Sequence, residues 1–199
     1  TTIGNVASPS IVSTLAVSAN TQGVYVSGKY AYVADSTNGL RIVDISQPSS
    51  PSLESTLDTQ DALDVFVSGR YAYVVDWTGG LRIIDVSNPT SPILKSSLPL
   101  PGGANDIYVS GRYAYVADST SGLRIIDVSD PSSPVLKSTL DTFLAIGVYV
   151  SGKYAYVADD TAGFRIIDIS NPIAPVLKST IDTTLGYNIF VAGRYAYLA

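Results

Sequence analysis

The chain has 199 residues, 46% of them hydrophobic and 15% charged, which is enough to bury a large core, and no apolar run approaches the ~18 residues of a membrane span. Its formal charge is -5 with no basic run, so neither nucleic-acid binding nor membrane insertion is expected. The absence of Cys, Met and His removes disulfides, thiol nucleophiles, imidazole bases and Cys/His zinc sites, and no cofactor or metal is expected.

Taken in chain order, Thr1-Thr2-Ile3-Gly4 is neither an initiator Met nor a signal peptide, and the ends are expected to have been trimmed or chosen. Ile11 to Leu15 alternates as an outer strand does. Val24 to Val26 is apolar on both faces and reads as a buried inner strand. After the turn at Gly28 come Lys29-Tyr30-Ala31-Tyr32-Val33-Ala34-Asp35, a Ser/Thr/Gly turn, and Leu40-Arg41-Ile42-Val43-Asp44, two strands rich in β-branched and aromatic residues. A Pro-rich turn at 47–51 leads to Leu53-Glu54-Ser55-Thr56-Leu57, whose period of two suits a half-exposed outer strand.

The same order then recurs. The string [KR]-Y-A-Y-[VL] begins at Lys29, Arg70, Arg112, Lys153 and Arg194, so a unit of 41 or 42 residues is written nearly five times. Self-similarity at that period, in four-stranded antiparallel units, predicts an all-β fold, a β-propeller forming a single domain over 1–199. Its blades fall at about 24–57, 63–98, 105–140 and 146–181, with a fifth split between 188–199 and 11–15. The closing blade lacks most of its third strand. That slot is expected to be filled by Thr1 to Val6, by a longer chain, or by a strand from another molecule, the last of which would make the chain self-associate.

The strings Leu40 to Asp44, Leu81 to Asp85, Leu123 to Asp127 and Phe164 to Asp168, with Tyr-Val-Ala-Asp upstream and Ser-x-Pro downstream, resemble the LVIVD repeat. The resemblance spans nearly the whole chain, although every copy has Arg where the family name has Val. It implies a β-propeller and, because many members are exported, an extracellular or cell-surface location. It implies no catalytic motif.

Residues present in every copy are expected to serve the blade, and those present once are free for a site. All 12 cations occupy three repeated slots: the tight turn, the third strand (Arg41, Arg82, Arg124, Arg165) and the outer strand (Lys95, Lys137, Lys178). Asp44, Asp85, Asp127 and Asp168 repeat, as do Asp35, Asp76, Asp118 and Asp159, which stand before a turn and are suited to accept its N–H groups. A cation-binding ring made of the second set would lack the alternating acids of an EF-hand loop. The paired tyrosines, such as Tyr30 and Tyr32, are expected to pack between blades.

Length varies in one place only. From the second Pro of each Pro turn to the next tight-turn Gly the offsets are 19, 18, 19, 18 and 18, whereas from that Gly to the next such Pro they are always 23. The connection from outer to inner strand therefore takes every insertion, and it opens on the same end as the Asp-to-Gly turn. The candidate ligand-binding face comprises Gln22, Asp61, Asp64, Trp77, Asn105, Asp106, Phe143, Asp160, Tyr187 and Asn188, with Trp77 the leading anchor at a loop tip.

The expected function is a non-enzymatic interaction scaffold that binds a protein or glycan through that face. Alternatives are a structural module of a longer array, a self-assembling subunit, or a carboxylate-dependent glycosidase using the unpaired acids Asp61, Asp64, Asp106 and Asp160. No acid is expected in a setting that raises its pKa, which counts against the last.

Overall fold

The structure, a computed structural model, describes residues 10–16, 20–183 and 186–199. Four complete antiparallel meanders follow one another. The first blade is β1 (Gly23–Ser27), β2 (Tyr30–Ala34), β3 (Leu40–Asp44) and β4 (Ser52–Leu57). The second is β5 (Ala62–Ser68), β6 (Tyr71–Asp76), β7 (Gly80–Asp85) and β8 (Ile93–Leu98). The third is β9 (Asp106–Ser110), β10 (Tyr113–Ala117), β11 (Leu123–Asp127) and β12 (Val135–Leu140). The fourth is β13 (Gly147–Ser151), β14 (Tyr154–Ala158), β15 (Phe164–Asp168) and β16 (Val176–Ile181), with a 3-10 turn at Asp160–Ala162. A two-stranded sheet, β17 (Ile189–Ala192) and β18 (Tyr195–Leu198), follows.

Alternation along each strand makes a blade apolar on both faces. Tyr32 and Ala34 of β2, with Leu40 and Ile42 of β3, face forward and pack on the next blade's Val65, Val67, Ala72, Val74, Ile84 and Val86. The second and third blades meet in the same way, as do the third and fourth. The expected Tyr packing is therefore present, and Tyr32, Tyr73 and Tyr115 are buried.

Ion pairs clamp both ends of each blade. At the tight-turn end the cation meets the third-strand acid: Lys29 to Asp44 at 2.9 Å, Arg112 to Asp127 at 2.5 Å, Lys153 to Asp168 at 4.0 Å, and Arg70 to Asp85 in close contact. At the loop end the fully buried Asp35 and Asp118 lie 2.5 and 2.6 Å from Arg41 and Arg124, and Asp76 and Asp159 pair with Arg82 and Arg165. The repeated third-strand Arg thus exists to neutralise the turn carboxylate of its own blade. Those carboxylates also accept N–H bonds, Asp76 from Thr78, Gly79 and Asp61, and Asp159 from Phe143 and Leu144.

Blades are stitched at the rim by a repeated Ser. Ser55, Ser96 and Ser138 of the outer strands donate to the carbonyls of Pro89, Pro131 and Pro172 in the following blade, at 2.6 to 2.7 Å. Ser13 donates likewise to Pro48 at 2.6 Å. Residues 11–15 therefore occupy the position of an outer strand preceding the first blade, as the repeat predicts, but they form no strand there. The reason is the missing neighbour: among the described residues no third strand lies beside them to pair with. Thr1 to Val6, expected in that slot, lie outside the described residues.

Candidate functional site

The first residue before each inner-strand Val or Ile is Gly23, Asp64, Asp106, Gly147 or Asn188 in the five copies. Four of these, Gly23, Asp64, Asp106 and Asn188, border a polar cavity of about 570 Å³ around the axis at the loop end. Six of the ten candidate residues line it: Gln22, Asp64, Asn105, Asp106, Tyr187 and Asn188. Gly23 is required there by space, since a Cβ would collide with the Asp64 carboxylate. In the apolar wall Val24 belongs to the ordinary inner-strand pattern, whereas Leu63 and Ile146 hold the same variable repeat position as Gln22, Asn105 and Tyr187, and only their apolar character kept them off the candidate face.

Asp64 and Asp106 reach forward to the next blade. Asp64 accepts from the Ile107 amide at 3.2 Å, and Asp106 from the Val148 amide at 2.7 Å. Their carboxyls are hydrogen-bonded to each other, a contact that requires a proton shared within the pair. Burial pushes Asp64 well above the ordinary carboxylate range, and the Asp106 charge pushes it further; burial also raises Asp106. This overturns the expectation that no acid occupies a pKa-raising setting. Around the pair, Asn105 donates its side-chain amide to the Ala145 carbonyl at 2.9 Å, and Asn188 accepts from the Ile189 amide at 2.7 Å.

The other four candidates do not line the cavity. Trp77 is 42% exposed, and the face of its ring lies against Gly103, so it roofs the 100–106 connection instead of projecting from a loop tip. Asp61 accepts from the Ser36 hydroxyl at 2.9 Å and joins two blades. Asp160 begins the 3-10 turn with φ 45°, and Phe143 is exposed above Asp159. Among the described residues no three metal-ligating side chains gather in one place.

Four-stranded meanders arrayed in this way define a β-propeller. A model of the LVIVD repeat matches residues 18–59, 60–98, 101–142 and 145–183, and the chain belongs to that family. A search of curated proteins finds no match. Among solved structures, a functionally unknown protein from Desulfotomaculum acetoxidans DSM 771 is 16% identical with a TM-score of 0.76, over 90% of this chain and 62% of that one. The computationally designed Ika8 protein is 8% identical with a TM-score of 0.72, over 89% and 54%. The β-propeller domain of Myceliophteria thermophila Cps50 (Swd1) is 12% identical with a TM-score of 0.68, over 82% and 58%. The chain thus spans less than two thirds of each of these proteins.

Proposed function

We propose that this propeller is a non-enzymatic interaction scaffold, extracellular or at a cell surface, that binds a glycan through the axial cavity on its variable face. The carrying observation is the convergence of Gln22, Asp64, Asn105, Asp106, Tyr187 and Asn188 on one polar cavity. Amides and carboxyls match sugar hydroxyls as donors and acceptors, and the exposed Tyr187 offers an aromatic ring at the rim. A glycosidase is disfavoured, because two catalytic carboxyls stand ~5 to 9.5 Å apart, whereas Asp64 and Asp106 are hydrogen-bonded to each other. A glycan array followed by calorimetry on the hits tests the reading. Asn188→Ala and Gln22→Ala should each weaken binding by about tenfold, and Trp77→Ala should leave it unchanged. No glycan binding, or binding indifferent to both cavity substitutions, overturns it.

A second reading, a module of a longer array or a self-assembling subunit, is favoured by a separate observation. Val24 and Val26 are 65% and 57% exposed, whereas their counterparts in the next three blades are at most 6% exposed. At the other end Phe190, Tyr195 and Tyr197 are open.

A further inference from the structure

The axial cavity carries charge that the fold does not call for. At the repeat position of Asp64 and Asp106 the first and fourth blades have Gly23 and Gly147. Gly23 still pairs with Ala34, and Gly147 with Ala158, as Asp106 does with Ala117, so a blade forms without an acid there. What the two side chains do for the framework is accept the amides of Ile107 and Val148 in the following blade. A neutral acceptor performs that task equally, as the Asn188 side chain does for the Ile189 amide. The carboxyl identity of Asp64 and Asp106 is thus surplus to the scaffold, and burial makes it costly to ionise.

Nor does a cation of the chain answer that charge. Among the described residues the cavity wall holds no Lys or Arg, and besides the two acids its one titratable side chain is Tyr187. Gln22, Leu63, Asn105 and Ile146, which line it from the other blades, are uncharged. The loop-end Arg41, Arg82, Arg124 and Arg165 are each held by the turn Asp of their own blade. Asp64 and Asp106 therefore relieve their repulsion by sharing a proton, carboxyl to carboxyl. A primary ammonium is suited to replace that proton, because its three N–H donors bond both carboxylates at once. Tyr187, 57% exposed at the rim, adds an aromatic face that attracts a cation.

We propose that the axial cavity selects glycans bearing a free, protonated amino group, whose ammonium binds between the Asp64 and Asp106 carboxylates. Given the glycan reading of this cavity, on which this rests, the sugar class is a deacetylated amino sugar and not its N-acetylated or neutral counterpart. On binding, the shared proton leaves to solvent and the pair gains one negative charge, which the ligand's positive charge offsets. The net charge of the site is the same before and after. A lysine side chain brings the same ammonium, but on a flexible stem without ring hydroxyls for the amides of Gln22 and Asn188, so the amide-lined wall favours the sugar.

The test is calorimetric titration of the 199-residue protein with a glucosamine trimer, its fully N-acetylated counterpart and trilysine. At about pH 5 the amines are protonated and the acid pair keeps its proton. The amino trimer is expected to bind at least about tenfold more tightly than the N-acetylated one. It should also release up to about one proton, read from titrations in buffers of different ionisation heat. Asp64→Asn combined with Asp106→Asn keeps acceptors for Ile107 and Val148 and should erase both the preference and the proton release. The release by the parent protein reads the pair without any substitution. If both trimers bind alike, the glycan reading stands and the amino-sugar assignment falls; if neither binds, both fall. Trilysine binding as tight as the amino trimer's, or amino-trimer binding without proton release, also overturns the assignment.

Discussion

Chemically identical aspartates do opposite things in this chain. Asp64 is raised by burial and by Asp106, so the native state holds its proton more tightly than the unfolded chain, whose carboxyls titrate near ~3.9. Stability tied to Asp64 is therefore complete below about pH 4 and is lost as pH rises through the raised native value. Asn copies the protonated form, keeping an acceptor for Ile107 and a donor toward Asp106. Asp64→Asn is expected to raise the melting temperature by a few degrees at pH 7 and to leave it unchanged near pH 4, as thermal scans across that range will show. The third-strand acids work in reverse. Asp44, held at about 2 by hydrogen bonds from Ser46 and Lys29, and Asp127, held low by Arg112 and Ser129, stabilise the fold above about pH 4 and cease to do so as pH falls toward 2. Asp127→Asn should cost about 1 kcal/mol at pH 7, shrinking as the pH approaches 2 in denaturant titrations. The roles of the repeated acids were legible because recurrence marks them. The Asp64–Asp106 pair was not, since it forms only when curvature brings inner strands of consecutive blades together.

At the scale of elements, near-identical units give an internal comparison that separates a residue's type from its surroundings. Gly111 and Gly122 both have positive φ, 59° and 75°, but a Cβ on Gly111 meets nothing within 4 Å, while one on Gly122 collides with the Leu140 carbonyl and the Thr142 amide. Gly111→Ala should therefore cost only the backbone strain, about 1 kcal/mol, and Gly122→Ala more than twice that, measured by chemical denaturation. Ile125 and Ile166 hold equivalent places in β11 and β15, yet only Ile125 is fully covered. Ile125→Ala is expected to cost about 3 kcal/mol and Ile166→Ala distinctly less. Strand order within each complete blade was legible from the apolar alternation and the Gly and Pro punctuation. The bulge between third and outer strands, at Ile42/Val43, Ile83/Ile84, Ile125/Ile126 and Ile166/Ile167, was hidden, because the extra residue it inserts, Glu54, Lys95, Lys137 or Lys178, sits in a short, largely exposed outer strand where a break in alternation leaves no apolar mark.

At the scale of the molecule, the inner strands carry a continuous aromatic series: Tyr25, Phe66, Tyr108, Tyr149 and Phe190, with successive centroids 4.7, 5.0, 4.9 and 5.6 Å apart. Among the described residues each ring is covered by the next blade except Phe190, at whose end the forward face with Tyr195 and Tyr197 is exposed, while the rearward face with Val24 and Val26 is exposed in the first blade. Forward and rearward faces are complementary by construction, since the same kinds of residue meet in the three internal interfaces. A contact between copies should therefore be heterologous, the forward face of one on the rearward face of the next, giving rings or filaments according to the angle. The prediction is concentration-dependent assembly in sedimentation velocity, with Val24→Lys and Tyr197→Lys each reducing the protein to monomer. Each variant spoils one face and keeps the other, so an equimolar mixture retains a single good pairing and should form a heterodimer that grows no further. If either variant assembles as the parent does, or the mixture stays monomeric, the open faces do not recognise each other.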